Sequence, residues 1–447
     1  MRHPIVLLSV LSACQETPDS EDYPGAFSLT PSEEVESYVT ASWKAPGAES
    51  AHLEFSVDGQ TQLVTDPVDG EVGSDLPVLG LWFNETFDVE LVDQDDTVLA
   101  VGTHTIGAGP ATLSGFGIEG RPTWDRYVIS ALLTSDPSSV VMFSPSGQPC
   151  WFWELDGPAF IVRATPRRDG MGIWALLMPF TPAGEAGRLL SVDWDGTVSS
   201  DLTPYGHAGE GVTHDFIEME DGSIILIGYD TRAVGGVDYT GDTLYRRHAD
   251  GTEEPIWSFW DLYTPTADGV DPEDWTHANA LRWNEDRGTV WVSSRGQNSL
   301  VEVNPTDGVA LTVMGGSTPN VEMAEGAVPP HGQHHIDFRG NRLLVHDNRD
   351  VQQGSRVVAY DLEFGEVTVA RSVWEYVPAP TVYDFVLGDA AFVDDENLMV
   401  TWSTAGRLEQ RSFAGESPWS ASLLLGAVYG YSELVISLPG TTFVGNR

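Results

Sequence analysis

Short runs of alternating apolar and polar residues dominate the chain, and turn residues separate one run from the next. Between residues 26 and 110 the runs are YVTASWKAP, AHLEFSVDGQ, LWFNETFDVELVD and TVLAVGTHTIG. An apolar residue at every second position is typical of strands with one buried and one exposed face. Residues 26–110 are therefore predicted to form a small β-sandwich of the fibronectin or immunoglobulin type.

From about residue 111 onward, a strand followed by a glycine turn recurs six times. The runs are SSVVMFSPSGQ, GRLLSVDWDGT, DTLYRRHADGT, SLVEVNPTDGV, SRVVAYDLEFGEV and GRLEQRSFAGE. Their turn glycines are Gly147, Gly196, Gly251, Gly308, Gly365 and Gly415, with a period of about 50 residues. One hairpin per period of this length is typical of a β-propeller, in which each blade is a four-stranded antiparallel sheet.

The two patterns together predict an all-β fold. Residues 111–447 are expected to form a six-bladed β-propeller, preceded by the β-sandwich, and residues 425–447 are expected to complete its last sheet.

The composition fits a folded β-protein and excludes two classes of partner. The chain has 447 residues, of which 41% are hydrophobic, with 46 glycines and 28 prolines that suit many turns. Its formal net charge is −45, and Lys44 is the only lysine. A surface this negative repels nucleic acid and anionic lipid headgroups, so neither is expected to bind.

The N-terminus has the pattern of a bacterial lipoprotein signal. Residues 1–14 read MRHPIVLLSVLSAC, with an arginine, a short apolar run and small residues before Cys14. We expect cleavage before Cys14 and attachment of lipid to it, although an ordinary signal peptide is the alternative. Residues 15–25 are then a tether, and the protein is exported to the periplasm or the cell surface, with the lipid as its only membrane contact. Cys150, the only other cysteine, is left without an intrachain disulfide partner.

Three histidines recur at the same place in successive repeats. His214, His277 and His334 each stand at the start of an apolar run, about one repeat apart. The innermost strands of a propeller begin beside the central channel, so these side chains are expected to converge at one face. Arg295 is predicted at the end of the strand after His277 or in the loop beyond it. Asn279 is predicted to share the face of His277 because alternate residues point the same way. These five residues form the candidate site.

The residue types in this site allow three interpretations. Three imidazoles could hold a transition metal. An arginine and an amide directed at the same point favour an oxyanion instead, and a cationic cluster would let so acidic a chain bind an anionic ligand. The histidines could also be hydrogen-bonded residues that fill the channel. The oxyanion interpretation is preferred because the histidines are in register with Arg295, and no metal is predicted.

The motifs around these residues resemble those of the bacterial arylsulfotransferase family, also called aryl-sulfate sulfotransferases. The resemblance lies in DPEDWTHANAL with VSSRGQNSLVEV, in GQHHIDFRGNRLLVHDN with SRVVAYDL and WEY, and in WSTAGRLE. It is clearest over residues 212–410. Members of the family are exported six-bladed propellers with an N-terminal β-sandwich, and they move a sulfuryl group between phenols without a nucleotide donor, so no cofactor is expected.

The resemblance also implies a role for each residue of the site. It places the nucleophile, a histidine that is sulfated in a ping-pong reaction, at His334, and sulfuryl-binding roles at His214, His277, Asn279 and Arg295. One of His214 and His277 could also protonate the departing phenolate or take the proton of the acceptor. The partners are then a phenolic sulfate donor and a phenolic acceptor, and the protein could be a homodimer.

Two other functions remain open at this point. A non-catalytic propeller lipoprotein used for binding or adhesion would keep the fold without the activity. A metal-dependent propeller hydrolase or lyase would use the histidines as ligands. The best-known family members also have a disulfide near the active site, which Cys150 alone cannot form.

Two finer predictions concern side chains near the site. Within PPHGQHHIDF, neighbouring residues of a strand point to opposite faces, so His334 is predicted to face the channel, His335 the sheet and His331 a loop. The side chains that would hold phenol rings are not assigned, and the candidates are Trp275, Tyr205 and Tyr383.

Overall fold

Strands make up most of the structure, a computed structural model that describes residues 23–133, 137–157, 159–178, 187–202, 211–265, 271–423 and 428–445. These residues contain no α-helix and two short 3-10 helices, Ala111–Gly115 and Phe259–Asp261. None of the helices in the described ranges is long and apolar enough to cross a membrane. The predicted signal sequence, Cys14 and most of the predicted tether lie outside the described residues.

The first half of the chain contributes strands β1 to β16. The first eight are β1 (Ala26–Pro31), β2 (Val39–Lys44), β3 (Ser50–Val57), β4 (Gln60–Thr65), β5 (Val68–Asp69), β6 (Val72–Val78), β7 (Glu85–Asp93) and β8 (Val98–Ile106). The next eight are β9 (Phe116–Gly120), β10 (Tyr127–Leu133), β11 (Ser139–Phe143), β12 (Pro149–Glu154), β13 (Phe160–Pro166), β14 (Gly172–Met178), β15 (Arg188–Asp193) and β16 (Val198–Leu202).

The second half contributes strands β17 to β35. The first eight of them are β17 (Val212–Glu218), β18 (Ile224–Val234), β19 (Val237–Arg247), β20 (Glu253–Ser258), β21 (Ala278–Asn284), β22 (Thr289–Ser294), β23 (Ser299–Asn304) and β24 (Val309–Gly315). The others are β25 (Val321–Met323), β26 (Ile336–Arg339), β27 (Arg342–Asp347), β28 (Arg356–Glu363), β29 (Thr368–Tyr376), β30 (Asp389–Phe392), β31 (Asn397–Trp402), β32 (Arg407–Ser412), β33 (Trp419–Leu423), β34 (Val428–Val435) and β35 (Thr441–Phe443).

The N-terminal strands form two sheets. One has the order β1-β2-β6, and the other has the order β35-β4-β3-β7-β8, with β5 beside β3. Alternate residues are buried, such as Val39 and Ala41 in β2 and Leu53 and Phe55 in β3, and all four belong to one apolar cluster. The alternation seen in the sequence therefore corresponds to one buried face on each sheet.

Six further sheets follow in the described part of the chain. Their strand orders are β12-β11-β10-β34, β13-β14-β15-β16, β17-β18-β19-β20, β21-β22-β23-β24, β25-β29-β28-β27-β26 and β30-β31-β32-β33-β9. The pairings are antiparallel except that of β25 with β29. Each predicted turn glycine lies between two paired strands of one sheet, and all except Gly365 have a positive φ, a conformation that favours glycine.

The innermost strands of these sheets contact one another in a closed series. The order is β34, β13, β17, β21, β26, β30 and back to β34. The two ends of the chain close it, because β34 pairs with β10 in the first sheet and β9 pairs with β33 in the last. The expectation that residues 425–447 complete the last sheet is wrong, since β34 completes the first sheet and β35 pairs with β4. Alternation predicts a strand but carries no information about the edge to which it pairs.

Buried aspartates join successive inner strands. Each accepts a backbone N–H of the next inner strand: Asp215 from Leu281 at 2.6 Å, Asp337 from Phe392 at 2.8 Å and Asp389 from Ser432 at 2.8 Å. Arginines balance these charges, with Arg163 contacting Asp215 and Glu433, and Arg282 contacting Asp337 and Glu433. Buried charges are stable only when they are paired and hydrogen-bonded, so this network fixes the positions of the inner strands and of the residues at their ends.

Candidate active site

Three histidine rings meet at one end of three neighbouring inner strands. His214 is the third residue of β17, His277 immediately precedes β21, and His334 stands two residues before β26. The ring centroids of His214 and His277 are 4.9 Å apart, and those of His277 and His334 are 6.3 Å apart. Because the three strands contact one another in this order, the regular spacing in sequence becomes a cluster in space.

The backbone at two of these histidines is irregular. His214 has a φ of 49° and His277 a φ of 44°, in the left-handed region that residues other than glycine seldom adopt. The strand register shifts at the same places, between Thr213 and Phe216 and between Ala278 and Ala280. Bulges of this kind change the direction in which a side chain points and are common next to active sites.

Asp242 holds the unusual backbone around His277. Its Oδ2 accepts hydrogen bonds from the hydroxyl of Thr276 at 2.5 Å and from the N–H of Ala278 at 2.6 Å, the two neighbours of His277. Burial, together with the charge of Asp274, raises the pKa of Asp242 to about 7. The segment that carries His277 is therefore fixed on both sides by one buried carboxyl group.

The hydrogen bonds around His334 determine which of its ring nitrogens is free. Asn348 donates through Nδ2 to the carbonyl oxygens of Asp384 and Leu387, both at 2.8 Å. Its Oδ1 therefore faces Nδ1 of His334, at 3.0 Å. An amide oxygen can only accept, so Nδ1 carries the hydrogen and Nε2 keeps its lone pair. The buried His334 ring thus has its unprotonated nitrogen on the edge away from Asn348.

The other two histidines have different partners. Nδ1 of His277 is hydrogen-bonded to a carboxylate oxygen of Asp274, which lies three residues earlier in the chain. Nδ1 of His214 is hydrogen-bonded to the hydroxyl of Thr213, which also accepts a hydrogen bond from the hydroxyl of Tyr229 at 3.2 Å. Each of the three imidazoles is thus in contact with a chemically different group at the same ring nitrogen.

His214 and His334 are held in the neutral form. Burial lowers the pKa of His214 to about 3, and the charges of His277 and Arg295 act in the same direction. Burial also lowers the pKa of His334 well below its usual range, again with help from His277 and Arg295. Burial opposes ionisation of Asp274, but its hydrogen bond to His277 and the nearby positive charges outweigh this and lower its pKa. A neutral imidazole retains the lone pair that a nucleophile needs.

Arg295 lies beside the cluster. Its backbone N–H donates to the carbonyl oxygen of His277 at 3.0 Å, and its Nη2 donates to the carbonyl oxygen of Phe385 at 3.1 Å. The guanidinium is close enough to lower the pKa values of His214 and His334. The structure therefore brings four of the five predicted site residues together.

Asn279, the fifth predicted residue, makes a contact that the sequence did not indicate. It is fully buried, and its Nδ2 donates at 2.8 Å to the carbonyl oxygen of Gln333, the residue before His334. The bulge between Ala278 and Ala280 interrupts the alternation that would place Asn279 on the face of His277. The observed contact positions the segment before His334, and a sulfuryl-binding role for Asn279 stays a prediction.

The three histidines of PPHGQHHIDF occupy separate environments. His331 is exposed on a loop, as predicted. His334 lies beside His277, whereas His335 is fully buried and pairs through Nδ1 with Asp389 of β30 at 2.5 Å. His335 therefore bridges two sheets. The N–H of His346 donates to the carbonyl oxygen of His335 at 3.0 Å, so the pairing with β27 already includes this position.

The aromatic candidates differ in their surroundings. Trp275 is 2% exposed and packs against Trp260, with ring centroids 4.8 Å apart, so it is not available to a ligand. Tyr383 is half-buried, and Tyr205 lies outside the described residues. Phe385, which the sequence did not single out, is 56% exposed, and its carbonyl oxygen accepts the hydrogen bond from Arg295.

Sequence reasoning missed the partners of the three histidines. These are Asp274, Thr213 with Tyr229, and Asn348. Two signals were present. Asp274 falls within DPEDWTH, and Asn348 immediately follows β27 much as Arg295 immediately follows β22. Nothing in the sequence pattern points to Tyr229, which reaches Thr213 from the neighbouring strand β18.

The arrangement is suited to an anionic group with tetrahedral oxygens. A fixed guanidinium and imidazole N–H groups can stabilise negative charge, and a neutral imidazole can attack. Among the described residues, no group of three or more His, Cys, Asp or Glu side chains has an arrangement that could hold a metal ion. A separate cavity of about 720 Å³ opens at the opposite end of the inner strands, where Arg163, Arg282 and Glu433 line it.

Structural similarity to solved proteins is weak. A protein of unknown function from Bacteroides caccae matches with a TM-score of 0.45 and 12% identity over 70% of this chain and 100% of that one. A putative 6-phosphogluconolactonase from Bacteroides uniformis matches with a TM-score of 0.41 and 11% identity over 87% and 99%. The Cps50 (Swd1) β-propeller domain of Myceliophteria thermophila matches with a TM-score of 0.39 and 10% identity over 73% and 87%. These values are too low to support an argument about function.

Sequence similarity is more informative. No curated protein matches the chain. The model of the family described as Arylsulfotransferase (ASST) matches residues 183–418, which is more than half of the sequence and includes all three clustered histidines, Asn279 and Arg295. The match supports aryl sulfotransferase activity at the level of the family. This chain belongs to the arylsulfotransferase family.

Proposed function

We propose that the protein transfers a sulfuryl group from a phenolic sulfate ester to a phenolic acceptor, in two steps, through a sulfated His334. The observation that carries the proposal is the hydrogen bond between Asn348 Oδ1 and His334 Nδ1, which leaves Nε2 unprotonated in a ring whose centroid is 6.3 Å from that of His277. Family membership supports the general reaction. The geometry supports His334 as the nucleophile.

In the first step, Nε2 of His334 attacks the sulfur of the donor. An N–S bond forms while the bond between sulfur and the aryl oxygen breaks, and the aryl oxygen leaves with the bonding electron pair and takes up one proton. Negative charge on the sulfuryl oxygens is stabilised by Arg295 and by imidazole N–H groups, as in other transfers of this type. The neutral state of His334 makes its lone pair available for this step.

Asn348 contributes to the reactivity of the intermediate as well. Sulfation of Nε2 leaves the hydrogen on Nδ1, so the ring becomes cationic and donates to the amide oxygen of Asn348. An amide cannot take this proton, whereas a carboxylate could. The sulfated ring therefore remains a good leaving group. In the second step, a phenol gives up its proton and attacks sulfur, the N–S bond breaks, and neutral His334 is restored.

The pair formed by His277 and Asp274 is suited to the proton transfers. The ionised carboxylate of Asp274 holds the hydrogen on Nδ1 of His277 and stabilises the imidazolium form. Nε2 of His277 can then give a proton to the departing phenolate in the first step and accept one from the phenol in the second. The same residue returns to its starting state after each full cycle.

The finer features of the fold and location are part of the proposal. The closed series of six inner strands supports a six-bladed β-propeller, and the two N-terminal sheets that share one apolar cluster support a β-sandwich before it. The sequence of residues 1–14 supports export and lipid attachment at Cys14, which would place the protein in the periplasm or on the cell surface.

A transfer assay tests the proposed function. The protein is incubated with 4-nitrophenyl sulfate and phenol, and both nitrophenol release and phenyl sulfate formation are measured. We expect turnover by the wild type, loss of both products in His334→Asn, and full activity in the control His331→Asn, which changes an exposed loop histidine of the same motif. Activity retained by His334→Asn, or folded wild-type protein that binds the aryl sulfate without turnover, would refute the proposal.

A further inference from the structure

The structure points to different roles for the three histidines, which are set by their hydrogen-bond partners. Resting on the proposed function, we propose that Thr213 and Tyr229 are positioning residues that hold His214 with its hydrogen on Nε2. His214 then serves as a fixed hydrogen-bond donor to a sulfuryl oxygen and takes no part in proton transfer, which is left to His277.

The direction of the hydrogen bonds around Thr213 carries this assignment. The hydroxyl of Tyr229 donates to Oγ1 of Thr213 at 3.2 Å, and Oγ1 is also in hydrogen-bond contact with Nδ1 of His214. A threonine hydroxyl has one hydrogen to donate. If His214 also donated to Oγ1, the hydrogen of the Thr213 hydroxyl would lack an acceptor among these three residues. Donation from Thr213 to His214 satisfies all three groups, so Nδ1 accepts and Nε2 carries the hydrogen.

The surroundings keep Tyr229 and His214, at the two ends of this series of hydrogen bonds, in the required protonation states. Burial raises the pKa of Tyr229 well above its usual value, and the nearby carboxylates of Asp242 and Asp274 act in the same direction, so Tyr229 keeps its hydrogen. Thr213 is 1% exposed, which shields its hydroxyl from competing water. His214 remains neutral over the range in which proteins usually work, so it does not gain a second hydrogen at Nδ1.

The three partners therefore impose three different chemical states. Asn348 offers an acceptor and leaves His334 with a free lone pair on Nε2. Asp274 offers a negative charge, which lets His277 alternate between neutral and protonated forms. Thr213 offers a donor and leaves His214 with an N–H on Nε2. A neutral imidazole N–H is a very weak acid, so His214 can donate a hydrogen bond but cannot supply the proton that a phenolate needs.

The first experiment measures the hydrogen position directly and does not require activity. Nitrogen NMR of protein labelled with ¹⁵N-histidine distinguishes ring nitrogens with and without hydrogen. We expect Nδ1 of His214 to be unprotonated in the wild type and in Thr213→Ser, which keeps the hydroxyl. We expect the signals to shift toward a mixture of the two forms in Thr213→Val and Tyr229→Phe. The control is Tyr429→Phe, which removes a buried hydroxyl bound to the carbonyl oxygen of Ala421. A hydrogen on Nδ1 in the wild type would overturn the assignment.

The second experiment separates hydrogen bonding from proton transfer. Donor kcat/KM is measured with aryl sulfates whose phenols differ in pKa, from 4-nitrophenyl to phenyl sulfate. His214→Gln, which retains an N–H donor, should lose a similar factor with every donor, and Thr213→Val should do the same by roughly tenfold. His277→Gln should lose far more with phenyl sulfate, whose leaving group needs a proton.

The two experiments distinguish an error in the role proposed for His214 from an error in the proposed function. A loss in His214→Gln that grows with the pKa of the leaving phenol would overturn the proposed role of His214. A wild type without sulfuryl transfer would refute the proposed function, while the NMR measurement would still decide the position of the hydrogen on His214.

Discussion

Removal of the Asn348 side chain should slow the attack of His334 on the donor. The amide accepts from Nδ1 of His334 at 3.0 Å and donates to the carbonyl oxygens of Asp384 and Leu387 at 2.8 Å each. Asn348→Ala leaves these three buried groups without that partner. Each such loss costs about 1–3 kcal/mol, and partial relaxation suggests a total of roughly 3 kcal/mol in the free energy of unfolding. A variant of an otherwise stable domain should still fold.

The effect on catalysis follows from the same hydrogen bond. A bond of about 1.4 kcal/mol corresponds to a tenfold preference for the hydrogen on Nδ1. Without it, a smaller fraction of His334 has its lone pair on Nε2, and the ring is less well oriented. This redistribution alone lowers the reactive fraction only about twofold. The ring also becomes cationic as the N–S bond forms, and loss of a hydrogen bond to a charged group, about 1.5–3 kcal/mol, should lower donor kcat/KM about tenfold in Asn348→Ala.

The assay is steady-state kinetics with 4-nitrophenyl sulfate, together with a thermal unfolding curve for each protein. Asn284→Ala is the control, because Asn284 is equally buried and stands at the end of β21 away from His277. It should lose stability but keep donor kcat/KM. If Asn348→Ala is folded and its donor kcat/KM is within twofold of the wild type, the assignment of the nucleophilic ring form is incorrect.

Three further predictions concern other features of the site. Because burial lowers the pKa of His334, the reactive neutral form is lost only at a pH well below about 6.5. In His277→Gln, the rate of nitrophenol release should therefore stay constant from about pH 7 to pH 5.5. A tenfold fall over this range would contradict the lowered pKa. Burial raises the pKa of Asp242 to about 7, so the folded state binds its proton when the unfolded state does not, and this group should reduce stability as pH rises from about 4 to 7. Thermal unfolding of Asp242→Asn should show a smaller loss over that range than the wild type, and parallel curves would count against the raised pKa. Phe385→Ala removes an exposed ring from the residue whose carbonyl oxygen accepts the hydrogen bond from Arg295. The substitution should leave the thermal midpoint unchanged and raise KM for aryl sulfates several-fold; an unchanged KM would show that the ring does not contact the donor.

The main features of the fold were accessible to sequence reasoning because they depend on local patterns. Turn glycines such as Gly147 and Gly415 mark hairpins since the turns require a positive φ. The placement of β34 and β35 was not accessible. Neither strand carries a pattern that identifies its partner, and the partners, β10 and β4, lie hundreds of residues earlier in the chain. Pairing over such distances depends on the whole ring of sheets and leaves no local signal.

Part of the candidate site could be predicted from the sequence for a related reason. His214, His277 and His334 could be found because a repeat places equivalent residues at equivalent positions. Their ring states could not, since these depend on the partners Asn348, Asp274 and Thr213. Bulges and positive φ values at His214 and His277 also change the directions of two of the rings. Asn279 is the clearest example: strand alternation alone puts it on the face of His277, but the bulge at that position removes the alternation.

Mass spectrometry of the protein after brief incubation with an aryl sulfate, in the absence of acceptor, examines the covalent step itself. The proposed reaction predicts that one SO3 group is bound to the peptide that contains His334, that phenol removes it with formation of phenyl sulfate, and that His334→Asn never acquires it. Turnover without any adduct on this peptide, or an adduct on the peptide of His214 or His277, would contradict the role assigned to His334.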